Sequence, residues 1–126
     1  MTVLLVEDTR DVLVTLRDLL MAKGHEVLCA QDGVIAIHVL QSHPGAIDLL
    51  ISDIVMPELD GDELAEAAQT IRPGLKILLM SGGSLRPVSE MRLPEEIKIV
   101  NKPFTGRVFL EKVESLMAEP AAVTRS

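Results

Sequence analysis

The chain has 126 residues, of which 48% are hydrophobic, and this length and composition predict a single domain with a hydrophobic core rather than a disordered chain. Its net charge of −7 and its aromatic content of only 2% argue against direct binding of nucleic acid, which is held by basic and stacking side chains. No apolar segment approaches the ~20 residues that span a bilayer, so we expect a cytoplasmic protein without membrane insertion.

The first strand and helix are predicted from a change in hydrophobic period. Thr2 to Val6 is a β-branched and leucine run that ends at Glu7-Asp8, and this early acidic pair also argues against a secretory signal. A helix follows, for which Thr9 or Asp8 is a suitable cap and which Lys23-Gly24 ends. Its apolar positions recur at helical spacing: Val12, Leu13, Leu16, Leu19 and Leu20.

The second unit contains the only cysteine of the chain. Glu26 to Ala30 is a predicted strand that includes Cys29, and one cysteine excludes an internal disulfide and a cysteine metal cluster. We expect Cys29 to be a buried and inert thiol. A helix is predicted over Val34 to Leu40, with Val34, Ile37 and Leu40 on its inward face.

The central strand ends at a carboxylate. Ile47 to Ser52 is a short apolar run typical of a buried parallel strand, and Asp53 stands where that strand would leave the sheet. Because ligands bind just outside the carboxyl ends of parallel strands, Asp53 either serves a ligand or only caps the turn that follows. Pro57 and Asp60-Gly61 mark that turn.

The remaining elements complete an alternating pattern. Predicted elements are a helix over Asp62 to Ile71, strands over Leu75 to Met80 and Ile97 to Val100, and a closing helix with Thr105 as its N-cap. Ser84 to Glu96 contains two prolines, so any helix there is short or irregular. We expect residues 1–118 to form one α/β domain, a parallel sheet with helices on both faces, and residues 119–126 to be a tail or linker stub.

Four of the five predicted strands deliver polar groups at their carboxyl ends, which share one rim in a parallel sheet. These groups are Glu7 and Asp8, Asp53, Ser81 and Lys102. Two carboxylates about 4 Å apart repel by roughly 4 kcal/mol at an effective dielectric near 20, so such a cluster takes up protons or binds a cation. Oxygen ligands alone suit Mg²⁺, and the added ammonium and hydroxyl predict phosphoryl transfer with Asp53 as nucleophile. Taken singly, each group also has a purely structural explanation, as a helix-capping acid, a turn serine or a solvated lysine.

In these residues the chain resembles the receiver domain of the two-component response-regulator family. The matching pieces are Leu5-Val6-Glu7-Asp8, the stretch from Asp53 to Gly61, Met80-Ser81-Gly82 and Lys102-Pro103-Phe104. The resemblance implies a flavodoxin-like, doubly wound sheet of order 2-1-3-4-5. It also implies that Asp53 accepts a phosphoryl group from the phosphohistidine of a histidine kinase or histidine phosphotransfer protein.

The same resemblance implies the remaining roles in the site. Asp8, Asp53 and the backbone carbonyl of Val55 would bind Mg²⁺, with Glu7 helping, often through water, while Ser81 and Lys102 would contact the phosphoryl group. Such a domain is not a metabolic enzyme; it phosphorylates and slowly dephosphorylates itself and presents a changed face to a downstream protein. It is either a stand-alone regulator or one part of a hybrid kinase or larger regulator.

Two alternatives and one departure from the family pattern stay open. An aspartyl-nucleophile phosphatase would need a second acid two residues after Asp53, where Val55 stands, and a receiver-like interaction module would need no phosphorylation. The family's usual aromatic three residues before Lys102 is replaced by Ile99. Ile99 is then either a simple core residue or a sign that the loop from Ser81 to Gly83 carries the conformational change.

Overall fold

The computed structural model describes residues 1–56, 59–82 and 97–119, in which strands and helices alternate as predicted from β1 to β4. The elements are β1 (Thr2–Val6), α1 (Arg10–Ala22), β2 (Glu26–Ala30), α2 (Gly33–Ser42), β3 (Leu49–Asp53), α3 (Gly61–Ile71), β4 (Lys76–Ser81), β5 (Ile97–Asn101) and α4 (Gly106–Ala118). The predicted irregular segment Ser84 to Glu96 and the tail after Glu119 lie outside the described residues.

The five strands form one parallel sheet in the order β2-β1-β3-β4-β5, which confirms the predicted topology. This sheet separates two hydrophobic layers. One layer lies under α1 and α4 and includes Ile51 and Phe109, and the other lies under α2 and α3 and includes Leu50 and Leu64. All five residues of β3 are buried, as expected for a central strand covered on both faces. Asp53 is therefore carried to the edge of the core by its most buried strand.

Cys29 and one residue of the predicted inward face of α2, Val34, differ from the predictions. Cys29 is exposed, because β2 is the edge strand of the sheet and pairs with β1 alone. On α2 the buried residues are Gly33, Ala36 and Leu40, whereas Val34 is 55% exposed. The small residues occupy the positions of closest approach: a Cβ on Gly33 would lie 2.9 Å from the side chain of Leu59. Of the three residues predicted to face inward, Leu40 is buried and Ile37 packs against the core, so the prediction was wrong for Val34.

The N-caps of the helices agree only partly with the predictions. Thr105 caps α4, with its side-chain oxygen accepting a hydrogen bond of 3.1 Å from the backbone N–H of Val108. Thr9 occupies the N-cap position of α1, but its side chain makes no capping hydrogen bond. Asp60 is the N-cap of α3, and its backbone N–H donates to Glu63 Oε1 at 3.3 Å. Asp60 thereby marks the start of α3.

Two cations tie helix ends together at the amino edge of the sheet. The guanidinium of Arg72 donates hydrogen bonds of 2.8–2.9 Å to three carbonyl oxygens, those of Leu40, His43 and Gly45. Lys76 Nζ donates to three more at the end of α4, those of Leu116, Met117 and Glu119. Helix carboxyl ends carry unsatisfied carbonyls and partial negative charge, so both cations stabilise them.

In the described parts of the chain, no helix is both long enough and apolar enough to cross a membrane.

Candidate functional site

Three carboxylates gather at the carboxyl edge of the sheet. Glu7 and Asp8 follow the end of β1, and Asp53 ends the neighbouring strand β3. One carboxylate oxygen from each lies within 4.8 Å of the other two. Glu7 and Asp53 are only 1% and 6% exposed, whereas Asp8 is exposed to solvent. The cluster therefore has a buried floor and one acid on the solvent side.

Lys102 brings a cation to this floor. Its Nζ lies 2.6 Å from Asp53 Oδ1 and 3.5 Å from Glu7 Oε2. The backbone N–H of Lys102 donates to the carbonyl of Ser81 at 2.6 Å, and the peptide bond between Lys102 and Pro103 is cis. The side chain of Lys102 remains 31% exposed. The ammonium thus bonds the predicted nucleophile while keeping access to water.

Gly82 and Gly61 allow two close approaches that the sequence reasoning did not anticipate. A Cβ on Gly82 would lie 2.5 Å from Lys102 Cβ, and a Cβ on Gly61 would lie 2.2 Å from the carbonyl oxygen of Asp53. Real Cβ atoms essentially never come this close, so a side chain at either position would displace its neighbour. Asp60-Gly61 was interpreted only as a turn signal, and only the fold shows which backbone lies against this glycine.

The pKa values of both Glu7 and Lys102 are raised in the cluster. Burial of the Glu7 carboxyl, and after it the adjacent Asp53 carboxylate, raise the pKa of Glu7 to about 7. Burial by itself would lower the pKa of Lys102, but the hydrogen bond to Asp53 and the charges of Asp53 and Glu7 outweigh it, so the pKa of Lys102 is raised. Near neutral pH, Glu7 is therefore close to half-protonated beside a firmly charged lysine.

The oxygen ligands present fit a hard divalent cation. Glu7 Oε1 accepts a hydrogen bond of 3.2 Å from the backbone N–H of Thr9. Glu7 Oε2 is buried and has no hydrogen-bond partner among the described residues. A buried oxygen without such a partner, next to two further carboxylates, is suited to a cation that takes oxygen ligands.

Ser81 and Val55, the other two predicted site residues, lie on the adjoining strand and loop. Ser81 ends β4, one residue after Met80, which is the register partner of Asp53. Val55 lies two residues beyond Asp53 and is 54% exposed. Both are therefore close in chain position to the acid cluster, and their contacts with a phosphoryl group or a metal stay predictions.

Ile99 packs against the hydrophobic layer under α2 and α3. This contact agrees with its interpretation as a core residue. Of the loop from Ser81 to Gly83, to which the other interpretation assigned the conformational change, Gly83 lies outside the described residues, so this interpretation stays a prediction.

The sequence model of the response regulator receiver domain family matches residues 3–114 of the chain. The chain belongs to this family. As a receiver domain, it is a module of two-component signalling rather than a metabolic enzyme.

Relatives show this receiver domain in two settings. The chain is 37% identical over 118 residues to the response regulator receiver protein CpdR of Brucella abortus, covering 91% of this chain and 95% of CpdR. It is 31% identical to the sensor kinase CckA of the same organism, covering 92% of this chain but only 12% of the kinase. The crystal structure of a response regulator receiver protein from Sinorhizobium medicae superposes with a TM-score of 0.83 at 30% identity, over 93% of this chain and 94% of that one. The family and the fold predicted from the sequence are both confirmed.

Proposed function

We propose that Asp53 is the phosphoryl acceptor of this receiver domain and that its donor is the phosphohistidine of a histidine kinase or histidine phosphotransfer protein. The observation that carries the proposal is the 2.6 Å contact between Asp53 Oδ1 and the Lys102 ammonium on the floor of the acid cluster. A structural ion pair alone would not need two further carboxylates beside it, one of them with a buried oxygen that accepts no hydrogen bond from the described residues and meets Lys102 Nζ only at 3.5 Å.

In the proposed reaction, a carboxylate oxygen of Asp53 attacks the phosphorus atom. The new O–P bond forms as the N–P bond of the phosphohistidine breaks, and the electron pair of that bond stays on the imidazole nitrogen. Lys102 neutralises charge on the phosphoryl oxygens, and the hydroxyl of Ser81 donates a hydrogen bond to one of them. The product is an aspartyl phosphate.

Glu7, Asp8, Asp53 and the carbonyl of Val55 are the residues that would hold Mg²⁺. When bound, the ion supplies positive charge that offsets the repulsion between the carboxylates and the incoming phosphoryl group. The chain's own contribution is to hold two of these carboxylates out of water and within 4.8 Å of the third.

The output of the domain would follow from the loss of the direct bond between Lys102 and Asp53. A phosphoryl group on Asp53 competes for the Lys102 ammonium, and the backbone of Lys102 is bonded to the end of β4 at Ser81. We infer that modification alters the face formed by β5 and α4, which a downstream protein then reads.

The deciding experiment is incubation of the chain with acetyl phosphate and Mg²⁺, followed by intact mass spectrometry. We expect one hydroxylamine-labile phosphoryl group per chain, absent from Asp53→Ala and retained in the exposed control Asp18→Asn. Phosphoryl incorporation that survives in Asp53→Ala would disprove the role of Asp53.

A phosphatase with the same nucleophile would need a general acid where this chain has Val55. Multiple turnover of an aryl phosphate, measured on the same protein, would favour the phosphatase over the receiver chemistry. Absence of both phosphoryl incorporation and turnover would favour a module that signals only by binding.

A further inference from the structure

Ser52 is a polar residue in an otherwise apolar part of the sheet. It lies on β3 directly before Asp53, is fully buried, and has Val6 of β1 and Leu79 of β4 as its register partners. A buried hydroxyl costs free energy unless it is hydrogen-bonded. Ser52 Oγ lies 2.9 Å from the carbonyl oxygen of Asp53 and 3.6 Å from Met56 Sδ. A carbonyl oxygen is the stronger acceptor, so the single proton of this hydroxyl goes to Asp53.

The hydrogen bond from Ser52 to the Asp53 carbonyl lies where the pairing of β3 with β1 ends. The paired register of β1 and β3 ends at Val6 and Ser52, so Asp53 stands one residue past it. On the other side β4 continues, since Asp53 pairs with Met80 and the N–H of Ile54 donates to the Met80 carbonyl at 3.1 Å. The Asp53 carbonyl is thus bonded by Ser52 within its own strand.

The same carbonyl is packed closely from a second direction. Gly61 leaves no room for a Cβ, which would stand 2.2 Å from the Asp53 oxygen, and the N–H of Gly61 donates to the Ile54 carbonyl at 2.6 Å. Successive side chains of a strand point to opposite faces of the sheet, so Ser52 does not face the acid cluster that Asp53 joins. Any effect of Ser52 on the chemistry must therefore act through the backbone.

We propose that Ser52 is a positioning residue: its hydroxyl fixes the carbonyl of Asp53 and thereby the direction of the carboxylate and the path of the chain to Val55 and Met56. The inference rests on the proposed role of Asp53 as phosphoryl acceptor. It predicts that the hydroxyl matters for reaction geometry more than for folding, because an alanine in this apolar setting leaves the surrounding packing intact.

The kinetic test compares Ser52→Ala and Ser52→Thr with the wild-type chain and with the exposed control Ser115→Ala. At saturating acetyl phosphate and Mg²⁺, we expect the first-order rate constant of phosphorylation to fall about tenfold in Ser52→Ala, since small misplacements of a reacting group are costly. Ser52→Thr, which keeps the hydroxyl, should recover most of the rate. Wild-type rates in Ser52→Ala, measured on folded protein, would overturn the inference.

A second measurement separates this inference from the proposed function and does not depend on phosphorylation. Amide hydrogen exchange followed by NMR should be faster in Ser52→Ala at Ile54 and Met56, whose N–H groups bond Met80 and Asp60, than in wild type. Exchange elsewhere in β3 should be unchanged. If the wild-type chain accepts no phosphoryl group, the proposed function fails, while unchanged exchange at both amides shows that Ser52 does not hold this segment.

Discussion

The two edges of the sheet use cations in opposite ways. At the carboxyl edge, the Lys102 ammonium bonds the Asp53 carboxylate at 2.6 Å and lies 3.5 Å from Glu7 Oε2, which accepts no hydrogen bond from any described residue. At the amino edge, Arg72 and Lys76 donate to neutral carbonyl oxygens, three for each side chain. The first arrangement can exchange partners when a ligand arrives, whereas the second only secures helix ends.

Cavity size does not distinguish the two edges, since a cavity of about 470 Å³ at the carboxyl edge is lined by residues that include Gly82 and Lys102. A cavity of about 430 Å³ at the amino edge is lined by residues that include Asp48, Arg72 and Lys76. Both of its cations already donate to backbone carbonyls, and Asp48 Oδ2 accepts the N–H of Thr2 at 2.8 Å. Available charge, rather than empty volume, distinguishes the edge that we propose to be functional.

The largest effect is expected from Lys102→Met, which removes the cation of the carboxyl edge. The phosphorylation rate should fall by about 10²-fold, as when a charge-stabilising donor is removed from an active site. The rate is measured by intact mass at fixed acetyl phosphate and Mg²⁺. A rate equal to that of wild type would mean that the bond between Lys102 and Asp53 is only structural.

Gly61→Ala should destabilise the loop of the carboxyl edge, because its Cβ would be placed 2.2 Å from the Asp53 carbonyl. Forcing an atom into such a site costs about 1–3 kcal/mol of unfolding free energy, which urea denaturation measures. Gly45→Ala at the amino edge is the matched control, since its Cβ would meet His43 Nε2 at a tolerable 3.3 Å. Equal losses in both variants would contradict the argument from close approach.

Lys76→Met should have the opposite effect to Lys102→Met, because it should lower the stability and leave the phosphorylation rate unchanged. Loss of the lysine's bonds to the carbonyls at the end of α4 is expected to lower the unfolding free energy by about 2 kcal/mol, since hydrogen bonds to charged groups are stronger than neutral ones. Phosphorylation of the folded variant should stay at the wild-type rate. A Lys76→Met variant that is as stable as wild type but poorly phosphorylated would contradict the assignment of Lys76 to stability and of Lys102 to phosphorylation.

The smallest effect is a pH dependence set by Glu7. Its pKa of about 7 exceeds its ordinary value of 4.5, so folding favours the protonated form. The contribution of Glu7 to stability is therefore complete below about pH 4.5 and is lost as pH rises through about 7. Because Mg²⁺ competes with this proton, its affinity should rise by at most about tenfold between pH 6 and pH 8, measured by calorimetry. Glu7→Gln should flatten this dependence.

The sequence predicted the strands and the clustering of the acids because these follow from hydrophobic period and strand ends, whereas the order of the strands was implied by the resemblance to the receiver family. Asp53 was placed correctly since β3 is apolar except for Ser52 and ends in a carboxylate. Cys29 was placed wrongly, because the four apolar residues from Val27 to Ala30 look the same in an edge strand as in a central one. Val34 was placed wrongly because Gly33 and Ala36, which carry almost no hydrophobic signal, make the close contacts.

Other parts of the site depend on contacts between residues that are distant in the chain. Gly82 lies against Lys102 and Gly61 against Asp53, and nothing in the local sequence shows which backbone each glycine will meet. The sequence likewise does not distinguish Ser52 from any other small residue in a strand, because it does not show which carbonyl the hydroxyl bonds. Local patterns thus predict the elements and the reactive groups, while the spacing between those groups emerges only from the fold.

The contact between Gly33 and Leu59 has a practical meaning for protein engineering. Leu59 belongs to the loop between Asp53 and α3, yet the room it occupies is provided by the first turn of a different helix. A chimera that imports residues 54–60 into another scaffold would have to import a glycine at the start of α2 as well. Without that glycine, the side chain of Leu59 would clash with a Cβ at the position that Gly33 now occupies.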